Sequence, residues 1–264
     1  MRVKENTLPI SALVASCNEG FLLEDCLKSL QFCDEIYFVD LNSDDNSIAI
    51  AEKWTDVQVT YKRVNLIEEI HPVFVPELKN DWFLLIDPDE RITKELADSI
   101  RETLSTVNND ISVIRVPMFN YFKGRQLKGT VFGGLTFARC LYKRSGVNVN
   151  SEVHSNIQKK EGFDRIKIKF EGKNFNMHLW CQGWSHLIGK HNRYLKGEGK
   201  AQYLLGNRYS FLKQMKDTVV KFYYSFKTRQ GYKDGMRGFA LSLIAARYEF
   251  LKWNELRKYQ HSLR

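Results

Sequence analysis

The sequence lacks the marks of several large classes. No stretch approaches the roughly 20 consecutive apolar residues that span a bilayer. The opening "MRVKENTLPI" has no apolar core, so a secretory leader is not expected. Five cysteines, Cys17, Cys26, Cys33, Cys140 and Cys181, form no CxxC pair and no metal-type spacing. An odd, irregular set suits buried thiols in a reducing compartment better than a disulfide framework. There is no GxGxxG, which removes the usual fingerprint of a dinucleotide oxidoreductase. Internal repeats and low-complexity tracts are absent as well. The expectation is a cytoplasmic globular protein.

What is present is enough for a sizeable core. A chain of 264 residues with 43% hydrophobic and 27% charged content can fold as one domain with an extension, or as two small domains. Its net charge of +9 is uneven. From Gly183 to the end, 17 Lys and Arg face 5 Asp and Glu, so the preceding residues are slightly acidic. This split predicts two regions with different jobs, 1–182 and a basic helical region over 183–264. Within the first, 1–110 is expected to be the ligand half and 111–182 a mixed-sheet completion.

The first half alternates strand and helix. "ISALVAS", "DEIYFVD", "VQVTYKRV" and "DWFLLID" read as strands. "EGFLLEDCLKSLQF", "SIAIAEKW" and "TKELADSIRETL" read as helices, the second capped by Asp44 or Asp45 and the third by Thr93. This order implies an α/β fold with a mostly parallel sheet and ligands at the strands' carboxyl ends. Later segments such as "ISVIRVPMFNYF" read as further β-structure. The last third reads as basic helices with wide apolar faces, Phe211, Met215, Val219, Phe222 and Phe226 lying on one of them.

Three polar clusters stand where strands end: "CNE", "DLNSDD" and "DPDE". In an extended segment Asp87 and Asp89 point the same way, so the two carboxylates can share one cation. Hard oxygen donors with no cysteine nearby suit Mg²⁺ or Mn²⁺ shared with a diphosphate. A lone DxD is more often a solvated turn; its position after an apolar strand, behind two other polar strand ends, raises the functional reading.

"SALVASCNEGFLLEDCLKSLQFCDEIYFVDLNSDDNSIAIAEKW", "NDWFLLIDPDERIT" and the tail with "GYKDGMRGF" resemble family 2 glycosyltransferases with the GT-A (Rossmann-like) fold. Within that family they are most similar to the bacterial enzymes that extend lipopolysaccharide core and related surface glycans. The resemblance implies an inverting, metal-dependent transfer from a nucleotide sugar, a UDP-sugar by expectation, to a glycan or glycolipid acceptor. It aligns Ala15, Asn18, Glu19, Asp40, Ser43 and Asp44 with the nucleotide pocket, and Asp87 and Asp89 with the metal-binding DxD. His178 in "NMHLW" matches a family histidine that could add a metal or phosphate contact. Lys79 is carried as a diphosphate contact, although the family's Lys-Asn pair lies well upstream of the DxD strand and Lys79-Asn80 abuts it. His191, Arg193 and Tyr194 are weaker acceptor or phosphate candidates. In "NSEVHSNI", Ser155 stands where the family has a Glu. Glu152 and His154 are therefore both candidates for the base, against the alternative of polar residues in a β-turn.

The basic amphipathic tail suits the anionic inner face of the cytoplasmic membrane rather than nucleic acid, for which no motif is present. Two other readings stay open. One is a non-catalytic membrane-surface protein on a degenerate transferase fold. The other is a phosphatase of the haloacid-dehalogenase type, against which Arg91 occupies the motif's Thr or Val position and no later GDGxxD-like cluster follows.

Overall fold

The computed structural model describes residues 6–64, 66–150 and 157–263, the side chain of 139 excepted. They divide into two compact units, Met1–Met118 with Phe137–His178 and Phe119–Thr136 with Leu179–Arg264.

The first unit is a mixed α/β layer. In chain order it contains β1 (Leu8–Ser16), α1 (Gly20–Ser29), β2 (Cys33–Asp40), α2 (Ser47–Ala51), β3 (Val57–Thr60) and α3 (His71–Phe74). These are followed by β4 (Trp82–Ile86), β5 (Glu90–Ile92), α4 (Lys94–Thr106) and β6 (Ile111–Phe122). The short β7 (Arg125–Gln126) precedes β8 (Thr136–Lys143), β9 (Val147–Val149), β10 (Ile157–Lys159), β11 (Asp164–Lys167) and β12 (Asn176–Cys181). Among the described residues the main sheet runs β3-β2-β1-β4-β8-β6-β12-β5, with β7 and β11 pairing along β6. The β1–β2, β2–β3, β1–β4 and β6–β11 ladders are parallel. The β4–β8 and β5–β12 ladders are antiparallel.

β1 is covered on both faces, and its sequence shows why. Ile10, Ala12 and Val14 pack with Leu23 and Leu27 of α1 and with Leu96 and Ile100 of α4. The alternate residues Leu13 and Ala15 pack on the other side with Tyr37, Phe74, Phe83 and Tyr142. A strand buried on both faces reads as a continuous apolar run, as "ISALVAS" does. Thr93 caps α4 as expected, its Oγ1 accepting from the Leu96 N–H at 3.2 Å. Two elements are shorter than expected. α2 stops at Ala51 and β3 at Thr60. Phe21, expected on the apolar face of α1, is 70% exposed.

The second unit carries the basic helices α5 (Trp184–Leu204), α6 (Phe211–Tyr223) and α7 (Gly235–Ser262), with the ends of β6 and β12. The Cβ-free surface of Gly199 lets α5 approach the Glu255 carbonyl of α7. Buried Gln214 ties α6 to α7 through the Phe250 carbonyl at 2.9 Å and Asn254 Oδ1 at 2.8 Å. The "GYKDGMRGF" segment is the unit's tightest knot. A Cβ on Gly238 would collide with the carbonyl of Gly231, and one on Gly129 with the carbonyl of Gln230. The Asp234 carboxylate accepts from the N–H of Lys128 at 2.9 Å and of Gly129 at 2.8 Å. A turn and a helix start are thereby sewn to a strand-connecting loop.

Of the residues expected to share an apolar face here, Phe211, Met215 and Val219 are exposed, whereas Phe222 and Phe226 are half-buried. Leu212 and Tyr223, at helical spacing from Met215 and Val219, are exposed as well. No helix among the described residues is long and apolar enough to cross a membrane.

Gly238→Ala is expected to destabilise the protein by roughly 2 kcal/mol or more, because rigid backbone must move to admit the methyl group. Urea unfolding of this variant beside Met236→Ala, at an 81% exposed neighbour that should change little, measures it.

Candidate active site

The carboxyl ends of β2, β1 and β4 lie side by side, because β1 pairs with both neighbours in parallel. The loops after β1 and β2 are laced together by the residues that the sequence singled out. Asn18 takes a left-handed conformation, φ 59°. Its side-chain oxygen accepts from the Asp44 N–H at 2.6 Å, and its own N–H donates to Ser43 Oγ at 3.0 Å. Asp40 ends β2 fully buried and accepts from the Ser43 N–H at 3.1 Å. Asp45 binds the Gly20 N–H at 2.9 Å, holding the start of α1 to the second loop. It also accepts from the Ser47 N–H at 3.0 Å, but the N-cap position of α2 is Asn46, so neither Asp44 nor Asp45 is the cap that the sequence suggested. Glu19 is the N-terminal flank of α1, and Ala15 pairs with Val39 one step before Asp40. Asn18, Asp40, Ser43 and Asp44 therefore form one hydrogen-bonded ledge.

Arg63 was not anticipated. It follows β3, donates to the Asn42 carbonyl at 3.1 Å and pairs with Asp44 at 2.7 Å. The Asp44 carboxylate is thus already engaged by a guanidinium.

β4 delivers "DPDE" beside this ledge. Asp87 O accepts from the Glu90 N–H at 2.9 Å and from Cys26 Sγ at 3.4 Å, which closes the turn against α1. Arg91 fixes the same turn, donating to the carbonyls of Pro88 at 2.6 Å, Glu90 at 2.7 Å and Leu22 at 2.5 Å. Its role was invisible in sequence, because Leu22 lies 69 positions away. β12 then brings His178 opposite Glu90, and its Nε2 stands 3.4 Å from Asp89 Oδ2.

The electrostatics of this cluster are unusual. Burial, then the neighbouring Asp87, raises Glu90 to about 8. Burial alone would lower His178, but the hydrogen bond and charge of Asp89 raise it instead. Too much negative charge for its degree of solvation is thus neutralised by retained protons. Among the described residues no group of three or more His, Cys, Asp or Glu side chains is arranged to hold a metal ion.

Other expected residues fall elsewhere. Lys79 is a correction. It precedes β4, so it lies at the amino edge of the parallel strands, where it pairs with Asp34 at 2.5 Å and its N–H donates to Glu35 at 2.8 Å. Adjacent Asn80 is held by Ser11 Oγ at 3.0 Å on the same edge. A strand length separates Lys79 from the loops that follow β1, β2 and β4. Glu152 and His154 lie outside the described residues. His191 and Tyr194 are on α5 in the second unit.

No model of a known protein family matches the chain. It is 26% identical over 262 residues to an uncharacterized glycosyltransferase of Rickettsia conorii, covering 97% of this chain and 92% of that protein. The chain is a homologue of bacterial glycosyltransferases. The relatives include the lipopolysaccharide core biosynthesis glycosyltransferase LpsC of Rhizobium meliloti, 23% identical over 92% of this chain and 90% of that one. Among solved structures, S. aureus TarS 1–349 superposes with a TM-score of 0.49 at 13% identity, covering 97% of this chain and 92% of that chain.

For the metal-free glycosyltransferase homologue, the proton-holding cluster sets a sign. Glu90 is raised from 4.5 to about 8, so it stabilises the folded state below pH 4.5 and that contribution is lost as pH rises through about 8. Raised His178 acts in the same direction above its ordinary range. Glu90→Gln should therefore flatten the fall in melting temperature between about pH 4.5 and 8. Thermal melts in chelator across that window read it.

Proposed function

We propose that the chain is a metal-dependent, inverting glycosyltransferase that moves a sugar from a nucleoside-diphosphate sugar, UDP by resemblance, to a membrane-associated glycan acceptor. The acceptor class is that of lipopolysaccharide core or a related surface glycan. The observation that carries this reading is the strand-end pair of ledge and acidic turn: Asn18, Asp40, Ser43 and Asp44 beside Asp87 and Asp89. By the resemblance, this cross-linked ledge would form the fixed floor of the nucleotide pocket. Asp87 and Asp89 would hold Mg²⁺ or Mn²⁺, with His178 beside Asp89 as a further ligand or as its proton-bearing stand-in. When bound, the ion neutralises the charge that develops on the departing diphosphate. Arg91 and Cys26 keep the turn in register, so the two carboxylates are positioned before the donor arrives. Glu152 or His154 would take the proton of the acceptor hydroxyl as it attacks the anomeric carbon.

A metal site of this kind competes with protons, since Asp89 raises the proton affinity of His178. The expected outcome is a melting-temperature increase with one nucleotide that requires Mn²⁺ and grows with pH between 6 and 8. Asp89→Ala should abolish the increase and lower transfer by roughly a hundredfold or more. An Asp89→Ala enzyme with unchanged donor hydrolysis and an unchanged nucleotide shift would overturn the metal role.

The membrane part of the reading rests on α6. Its exposed stripe of Leu212, Met215, Val219 and Tyr223 runs beside exposed Lys213 and Lys216, a pairing that fits an anionic bilayer surface. The protein should float with vesicles containing phosphatidylglycerol and not with neutral ones. Leu212→Glu with Val219→Glu should remove the flotation while leaving the nucleotide shift intact.

A further inference from the structure

The second unit contains a cavity of about 400 Å³ that the donor site does not use. Its walls come from three helices, β12 and the 131–132 loop. On α5, Leu187, Lys190, His191 and Tyr194 recur at helical spacing and all face it. β12 supplies Trp180, α6 supplies Lys221, and α7 supplies Ala245 and Tyr248.

The side chains form a box of rings. Phe132 stacks on Trp180 at 4.9 Å and 22°, His191 lies 5.8 Å from Phe132, and Tyr248 lies 4.7 Å from His191. Glu198 pins the Tyr248 hydroxyl at 2.9 Å. Lys190 is fixed at the Trp180 carbonyl, 3.1 Å away, with its ammonium 5.8 Å from the indole centre. No carboxylate belongs to the lining, although two lysines do.

His191 is the telling residue. It is 7% exposed, lines the cavity, and its Nδ1 has no hydrogen-bond partner among the described residues. A buried polar atom left without a partner is costly and calls for one from outside the chain. Burial, and then the charge of Arg247, lowers its basicity, which keeps the imidazole a neutral hydrogen-bonding group.

We propose that this cavity binds a sugar ring bearing a phosphate or carboxylate, one unit of the glycan that the enzyme extends; this rests on the glycosyltransferase reading. The requirements come from the walls. A purely apolar ligand would leave the imidazole and both ammonium groups unmatched. A bare anion would leave the aromatic walls without contact. A pyranose has an apolar face for the rings, hydroxyls for His191 and Tyr194, and room for an anionic substituent at Lys190 and Lys221. The size is that of ordinary small-ligand pockets, typically ~300–1,000 Å³.

The test is saturation-transfer NMR on the full chain, without metal or nucleotide, using glucose 6-phosphate, galacturonic acid, glucose and inorganic phosphate. The expected result is binding of both anionic sugars at least tenfold tighter than glucose or phosphate alone. Ala245→Phe, which fills the cavity, should abolish it, and Lys221→Gln should weaken it about tenfold. The Mn²⁺-dependent nucleotide shift, run on every variant, reports an intact fold. Equal binding of inorganic phosphate, survival of binding in Ala245→Phe, or displacement of the sugar by UDP would each overturn the proposal. A nucleotide shift with no sugar binding sinks this proposal alone. Sugar binding with no nucleotide shift under any condition sinks the transferase reading and leaves a sugar-binding protein.

Discussion

The constraint on which the site depends is a buried carboxylate with two others close by. Glu90 is buried, Asp89 is half-buried and Asp87 is exposed, all just after one fully apolar strand, and burial of charge at such a place is costly unless something positive or a proton compensates. Arg91 does not supply that compensation directly, since its guanidinium is spent on three backbone carbonyls. Its effect is geometric: it closes the turn and anchors it to α1. The compensation comes from protons: burial raises Glu90 to about 8, and the hydrogen bond and charge of Asp89 raise His178, so both groups hold a proton more readily than in water.

How far the site was legible in the sequence depended on whether each contact followed the strand order. Asn18, Asp40, Ser43 and Asp44 could be grouped because parallel strands put their carboxyl ends together, and apolar runs mark where strands end. Thr93 was legible because a cap is a local signal. Lys79 shows how sequence proximity misleads. It lies eight residues before Asp87, and a strand intervenes, so the nearness in sequence becomes separation across the sheet. Arg63 and Arg91 were hidden for the opposite reason. Each bridges loops far apart in the chain, and nothing local distinguishes a bridging arginine from a solvated one.

The tail motif reverses the usual inference from an unusual sequence. "GYKDGMRGF" has the look of a ligand loop, with glycines around charged residues. Gly231 and Gly238 are required by close backbone approach and Gly235 by its φ of 59°, and Asp234 is consumed by two N–H groups of a neighbouring loop. Polar character that is fully satisfied within the fold is structural. What remains unsatisfied, such as the Nδ1 of His191, is the better guide to a ligand.

The apolar residues of the second unit divide in the same way. Leu241, Leu187 and Phe122 are buried together and stabilise the helices. Phe132, Trp180 and Tyr248 border open volume, and Leu212 and Val219 face outward. Periodicity alone assigned Met215 and Val219 to the same face as Phe222 and Phe226. Burial separates them: the phenylalanines are half-buried and pack on Phe239 of α7, while Met215 and Val219 are exposed. A helix that leaves an apolar stripe exposed pays for it in solubility unless a partner covers the stripe.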